Sequence, residues 1–303
     1  METKNVTTET TKNQTPRAGR NPKRSGLNRR HLGNFFLYVV IIALLAIFIL
    51  PIFWLLISSL KAENDFVKWP PIWLPAIPQW NNYLAVFTNE RFNFLTQLYR
   101  SVILALLFAV PNVLFSAFAG YGFARINAPG KNILFIILLA EMMIPQTIMI
   151  FPQYVIFSRV GLIDNPLLWF LWGIAGTPFQ ILLFRQFFAA FPKELEDAAA
   201  IDGAGPISTF IRIFLPNARP VLAITFLFAF QWVWGDYLNQ QLFLTTNSTL
   251  AMSLATAFVN PRGYSILTLT MAGMVIYTLP LVVLFFFMQR QLVQGIVTTG
   301  LKG

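Results

Sequence analysis

The chain has 303 residues, 56% of them hydrophobic and only 11% charged, with a formal net charge of +10. Soluble domains carry about 25% charged residues, so this composition excludes an ordinary soluble protein and makes lipid the solvent for most of the chain. Cysteine is absent and His31 is the single histidine, which removes a disulfide framework and leaves no histidine pair for a metal site.

The tail 1–34 holds eight basic and two acidic residues among Ser, Thr, Asn and Pro. Such a segment cannot bury a core and is expected to be disordered. Most of the excess positive charge lies there, beside the membrane, where attraction to anionic lipid headgroups accounts for it without nucleic acid.

A bilayer core about 30 Å thick takes about 20 apolar helical residues. Charge-free runs of that order cover Phe35–Ile57, Ser101–Ala124, Asn165–Phe184 and, within Gly263–Gln289, the span 268–289. Asn132–Phe157 and Pro220–Leu244 qualify with one acidic residue each, Glu141 and Asp236. The predicted fold class is therefore all-α integral membrane, with six transmembrane helices. The first run is long, follows a polar tail and lacks a small-x-small cleavage site, so it reads as a retained anchor and not a signal peptide. After it comes a stretch from Lys61 to Tyr99 with Pro70, Pro71, Pro75 and Pro78 among tryptophans. That stretch is expected on the membrane surface, with a short helix starting near Asn81. Pro51, Pro111, Pro145, Pro152, Pro178 and Pro280 lie within or beside the spans and predict kinks. No internal repeat is visible.

Lysine and arginine placement orients the path. The tail and the loops on its side carry sixteen and the opposite face six, which predicts cytoplasmic N and C termini. Under that topology all eight tryptophans fall toward the outer side, where indoles favour the interface.

Polar groups inside spans are expensive and mark translocation paths by default. Glu141, with Gln146 following it, falls near mid-bilayer in the third span. Trp234, Asp236, Tyr237 and Asn239 combine aromatic platforms with hydrogen-bonding groups in the fifth, the pairing a sugar requires. Hydrogen bonding to neighbouring helices or to a partner subunit accounts for the same two carboxylates more simply. The phenylalanines and methionines read as helix packing.

Between the fourth and fifth spans lies PKELEDAAAIDGAGPISTFIRIFLP, residues 192–216. Pro192 opens a helix whose first turn carries Glu194, Glu196 and Asp197, complementing its positive end, and Ala198, Ala199 and Ala200 continue it. Gly203 and Gly205 permit a corner. Pro206 opens a second helix with Ile207, Phe210, Ile211 and Phe214 on one apolar face, which Pro216 ends. With Asp202 the loop has net charge −2, an acidic cytoplasmic element in a basic protein. It reads either as a docking element or as a solvated amphipathic loop.

This segment resembles the EAA loop of ABC importer permeases, E-A-A-x3-G-x9-I-x-L-P. Asp197, Ala198, Ala199, Gly203, Ile213, Leu215 and Pro216 fall at its spacings, with Asp197 in place of the usual Glu. The stretches MMIPQTIMIFPQYVIF, ELEDAAAIDGA, WGDYL and QRQLVQGIVTTGLKG extend the resemblance over nearly the whole chain after the tail, to the carbohydrate branch typified by MalG-type permeases. The resemblance implies the ABC importer type I permease fold in the bacterial inner membrane. It also implies a MalF-like second permease, a cytoplasmic ATPase dimer and an extracytoplasmic solute-binding protein as partners. Coupling to the ATPase is implied for Glu196, Asp197, Ala198, Ala199, Asp202, Gly203, Ile213, Leu215 and Pro216. No G-x4-G-K-[ST] phosphate loop occurs, so the chain is expected not to be an enzyme or to carry a cofactor, with ATP and Mg used by the partner. A polyol permease, a secondary transporter driven through Glu141 and Asp236, and a membrane scaffold are the rival readings.

Overall fold

A computed structural model describes residues 25–89, 92–254, 256–260 and 262–300, with side chains over 33–291. Residues 1–24 of the tail lie outside these. Two compact units result, divided between Phe53 and Trp54. The regular structure of the described residues is helical, and the one extended pairing among them is an isolated bridge between Val259 and Ser265.

The first helix, α1, runs Ser25–Ser59, beginning inside the segment expected as tail. Its residues Phe35 to Phe53 are exposed almost without exception. Apolar exposure of that extent belongs in lipid. A short helix, α2 (Asn81–Phe87), follows the proline-rich stretch as expected.

The centre of the second unit is α3, Phe94–Arg125. Asn93 caps it by accepting from the Thr96 amide at 3.1 Å. Leu104, Ala105, Phe108, Asn112, Ser116, Gly120 and Tyr121 lie along its buried side at helical spacing. Two glycines set how closely its neighbours approach. A Cβ on Gly120 would sit 2.5 Å from the Phe184 Cβ, and one on Gly173 would sit 2.6 Å from the Phe108 carbonyl oxygen. Small residues at such crossings let helix backbones meet.

Three of the expected spans are bent. The third is α4 (Lys131–Glu141) and α5 (Gln146–Arg159), meeting at 100°. Pro145 at the break lacks an amide and disfavours helical backbone in the residue before it. The fourth is α6 (Leu167–Ala175) and α7 (Pro178–Ala189), meeting at 42° across Gly176, whose φ is +70°. There the Thr177 amide, freed from the helix, donates to Ser116 Oγ at 3.2 Å. After α8 (Glu194–Ile201) and α9 (Pro206–Thr209), the segment Pro206–Asn217 meets α10 (Arg219–Trp234) at 82°. The fifth span was expected as one run to Leu244. It is interrupted at Gly235, and α11 (Leu238–Phe243) continues after the break. The last helix, α12, is Leu267–Gly300. Pro51, Pro111, Pro152 and Pro280 remain inside continuous helices, so of the six prolines only Pro145 and Pro178 lie at breaks.

Among the described residues, Gly33–Ser59, Phe94–Arg125 and Leu267–Gln291 are each long and apolar enough to cross a membrane, and the number rises to as many as six where each of the three bent pairs is one span. The fold is all-α and multi-span. In the second unit α3 packs against α6, α7 and α10, and α10 against α12. Trp169 and Trp234 belong to this core and are fully buried. They pack against protein instead of facing a lipid interface. By contrast α4, α5 and the bend between them leave Ile133, Ile136, Met143, Ile148 and Phe151 uncovered.

A second cluster sits around α2: Val86, Phe92, Phe94, Leu250, Leu254, Phe258 and Ala272. Glu63 ties it to α12, accepting from the Leu267 and Thr268 amides at 3.0 Å each and from the Thr268 hydroxyl at 2.8 Å. A carboxylate there satisfies the first amides of the helix and meets its positive end.

Candidate functional site: the loop 192–216

The loop folds as two helical pieces around a glycine corner, as its pattern predicts. Glu194, Glu196 and Asp197 occupy the first turn of α8. At its end the Gly203 amide donates to Ala200 O at 3.0 Å and the Ala204 amide to Ala199 O at 2.9 Å. These are the two reverse bonds of a Schellman ending. Gly203 takes φ +76°, and a Cβ there would meet nothing within 4 Å. Glycine is needed for its backbone and not for room.

The second piece departs from a plain α-helix. Its middle, Phe210–Phe214, is a π turn, with i to i+5 bonding and more residues per turn. The wider turn splits the predicted apolar face. Phe210 and Phe214 are buried, whereas Ile207 and Ile211 are exposed. Tyr121 rings lie 5.2 Å from Phe210 and 5.0 Å from Phe214, and Phe188 and Phe191 lie 5.7 and 5.2 Å from Phe214. Offset and edge contacts of this kind add to the apolar burial. The inner half of the stripe thus anchors the loop to the ends of α3 and α7.

The other face is open. Asp197, Ala198, Asp202, Gly203 and Pro216 are exposed, and Ile201 is 87% exposed. Ala199 is buried, and Ile213 and Leu215 are half-buried against the core. Glu196 turns inward. Its Oε1 lies 3.3 Å from Arg125 Nε, an ion-pair contact without hydrogen-bond geometry, because the Arg125 donors point elsewhere. Nε and Nη2 donate to the Phe188 carbonyl at 3.0 and 2.7 Å, and Nη2 also donates to the Phe191 carbonyl. Sequence reasoning missed Arg125, which it had counted only as a cytoplasmic charge.

The residues expected along a translocation path do not converge on one surface. Trp234 is locked in the core, stacked at 5.4 Å on Phe230 and 5.1 Å on Tyr277, with Nε1 donating to the Tyr277 carbonyl at 3.2 Å. Asp236 lies past the break in the span and caps α11, Oδ1 accepting from the Asn239 amide at 3.1 Å. Its Oδ2 and the Asn239 side-chain oxygen are buried without partners, while Tyr237 is exposed. Trp234, Asp236 and Tyr237 were expected to share one helical turn, and the break at Gly235 turns them different ways. Glu141 ends α4 and Gln146 begins α5, so both flank the 100° bend, and both are exposed. Among the described residues no group of three or more His, Asp or Glu is arranged to hold a metal ion.

The profile of the binding-protein-dependent transport system inner membrane components matches residues 83–298. The chain belongs to this family. It is a multi-pass inner-membrane permease component. The maltodextrin transport system permease MdxG of Bacillus subtilis is 34% identical over 67% of this chain and 74% of its own. The arabinooligosaccharide permease AraQ of Halalkalibacterium halodurans is 31% identical, covering 86% and 93%. The osmoprotective compounds uptake permease GgtD of Synechocystis is 30% identical, covering 88% and 91%. A solved chain from a bacterial ABC transporter for import of the acidic polysaccharide alginate superposes with a TM-score of 0.75 at 20% identity, over 89% of this chain and 99% of that one. The permease fold is therefore that of ABC importers.

Proposed function

We propose that this permease carries a sugar or oligosaccharide inward across the membrane, driven by an ATPase that docks on the loop 192–216. The solute class rests on the maltodextrin and arabinooligosaccharide permeases among its relatives. The docking rests chiefly on the two-sided build of the loop: Phe210 and Phe214 are sunk into the ends of α3 and α7, while Asp197, Ala198, Ile201, Asp202 and Gly203 remain uncovered. An uncovered isoleucine beside a small-residue helix and two carboxylates offers a partner close backbone approach with charge at its edge. Ile213, Leu215 and Pro216 would carry displacement of that face into α10.

In this reading ATP hydrolysis and Mg belong to the ATPase dimer, and this chain is a translocation subunit without catalysis of its own. A second permease subunit covers the exposed face of α4 and α5, and an extracytoplasmic binding protein delivers the solute. Glu141, Gln146, Asp236, Tyr237 and Asn239 are the groups offered to the path, with Trp234 holding the wall behind them.

The test is purification of the tagged chain from its native membrane, with identification of the associated subunits and bound solute. An ATPase and a carbohydrate are expected, and recovery without an ATPase would overturn the reading. Substituting Gly203 with valine is expected to keep membrane insertion and lose the ATPase. Similarity to the osmoprotective compounds permease favours an osmoprotective compound as the second reading, and the recovered solute decides between them.

A further inference from the structure

Arg125 is the last residue of α3, and its side chain is only 8% exposed. Helix C-termini leave carbonyls unsatisfied and negative. The end of α7 is such a place, and the Arg125 fork closes on the Phe188 and Phe191 carbonyls there. Its guanidinium also lies 5.4 Å from the Phe214 ring centroid, a cation–π approach to the second piece of the loop. The first piece reaches the same cation through Glu196, whose side chain is 28% exposed and whose Oε1 is buried with no hydrogen-bond donor. One cation therefore touches four chain segments: its own helix, the end of α7, α8 and the π turn.

These contacts differ in kind. Phe210 and Phe214 are held by packing, which cannot be released without emptying the core. Glu196 is held by a charge: it is half-buried, and its inward oxygen, Oε1, lies beside the Arg125 guanidinium with no hydrogen-bond donor of its own. On α8 itself packing reaches in through Ala199, and the charge contact of Glu196 is its tie to Arg125.

We propose that Arg125 is a positioning residue that locks α8 to the ends of α3 and α7 through Glu196, so that a push on the exposed face of α8 moves these two spans with it. This rests on the loop being the ATPase docking site. It also gives Glu196 an inward task, leaving Asp197 and Asp202 as the carboxylates that meet the partner.

The absence of cysteine makes a direct test available. Spin labels are placed on K193C at the start of α8 and on N127C just beyond α3, both exposed, in the complex purified with its ATPase. The distance distribution is read by pulsed electron resonance, with and without ATP and vanadate. With Arg125 and Glu196 intact the distribution stays narrow and unchanged when nucleotide is added. In E196Q, which keeps the shape and removes the charge, it broadens or shifts on nucleotide addition while the ATPase stays bound. R125K, with one charged head in place of a fork, falls between E196Q and the unsubstituted chain. A merely structural role would lower the amount of complex recovered without widening the distribution in what remains. A narrow, nucleotide-independent distribution in E196Q overturns the proposal. If the unsubstituted chain carries no ATPase, the docking reading falls and takes this one with it, a result visible before any variant is made.

Discussion

Asp164 is the residue whose surroundings are most sharply defined outside the loop. It adopts φ +59°, a left-handed conformation in which Asp is one of the few tolerated side chains. Its Oδ1 accepts from the amides of Thr245, Thr246 and Asn247 at 3.0 to 3.1 Å, and its Oδ2 from the Thr246 hydroxyl. The Thr246 hydroxyl bond is the largest cause, and together with the amide bonds it holds the carboxyl well below the usual carboxylate range against the opposing effect of burial. A depressed folded-state pKa means stability that is full above the unfolded value of about 3.9 and lost as the pH falls below it. The clamp between the loops at Asp164 and Thr246 should therefore be indifferent to pH from about 5 to about 8. D164A leaves three amides without an acceptor and is expected to lower the melting temperature in detergent by several degrees. D164N keeps an acceptor and the tolerance for positive φ, and should lose less. Thermal unfolding of the two variants against pH checks both statements.

Gly203 presents the opposite case. A side chain there has room but the wrong backbone, so G203A should cost about 1–2 kcal/mol of loop geometry without any steric clash. Partial loss of ATPase recovery with normal membrane insertion is the expected outcome. The sequence made Gly203 legible, because a glycine between two helical patterns has few other uses. Arg125 and Asp164 were not legible. Arg125 and the carbonyl it holds are 63 residues apart, and Asp164 and the Thr246 hydroxyl 82 apart, and nothing in local periodicity links them.

Within the second unit α3 is the column on which α6, α7 and α10 pack, and its two C-terminal glycines make a controlled comparison. A methyl on Gly120 would meet the Phe184 Cβ at 2.5 Å and the Arg185 amide at 2.9 Å, backbone that cannot swing away. A methyl on Gly122 meets nothing within 4 Å. G120A is accordingly expected to force α3 and α7 apart and lower thermal stability by about 1–3 kcal/mol. G122A should be neutral or gain up to about 1 kcal/mol from helix propensity. Heat-induced aggregation of both variants in one detergent is the check. The π turn makes a similar argument for Phe214. It is fully buried among Tyr121, Phe188 and Phe191, and F214A should cost about 3–5 kcal/mol. Ile211, one i to i+4 step from Ile207 on the outer face, should tolerate alanine in the isolated chain and show its loss only in ATPase recovery. The predicted apolar stripe held all four residues on one face because a regular helix was assumed. The wider π turn divided it.

For the molecule as a whole, the orientation can be tested with single cysteines in a chain that has none. Membrane-impermeant maleimide applied to intact cells should label T246C and leave N127C unlabelled until the cells are opened. The reverse pattern would invert the topology drawn from sixteen basic residues against six.

Run length and charge placement are properties of a one-dimensional string. For that reason the amino-acid sequence was enough to establish the membrane solvent, the all-α multi-span class, the corner in the loop and the family pattern that names it. Where the helices break, which side of each is covered, and which groups meet across distant segments depend on how the helices pack. Packing put Trp234 into the core, turned Tyr237 away from it, split the loop's apolar stripe, and brought Arg125 onto Glu196. Each outcome follows from backbone geometry at a few points, Pro145, Gly176, the π turn and Gly235, that reset the direction of every side chain beyond them.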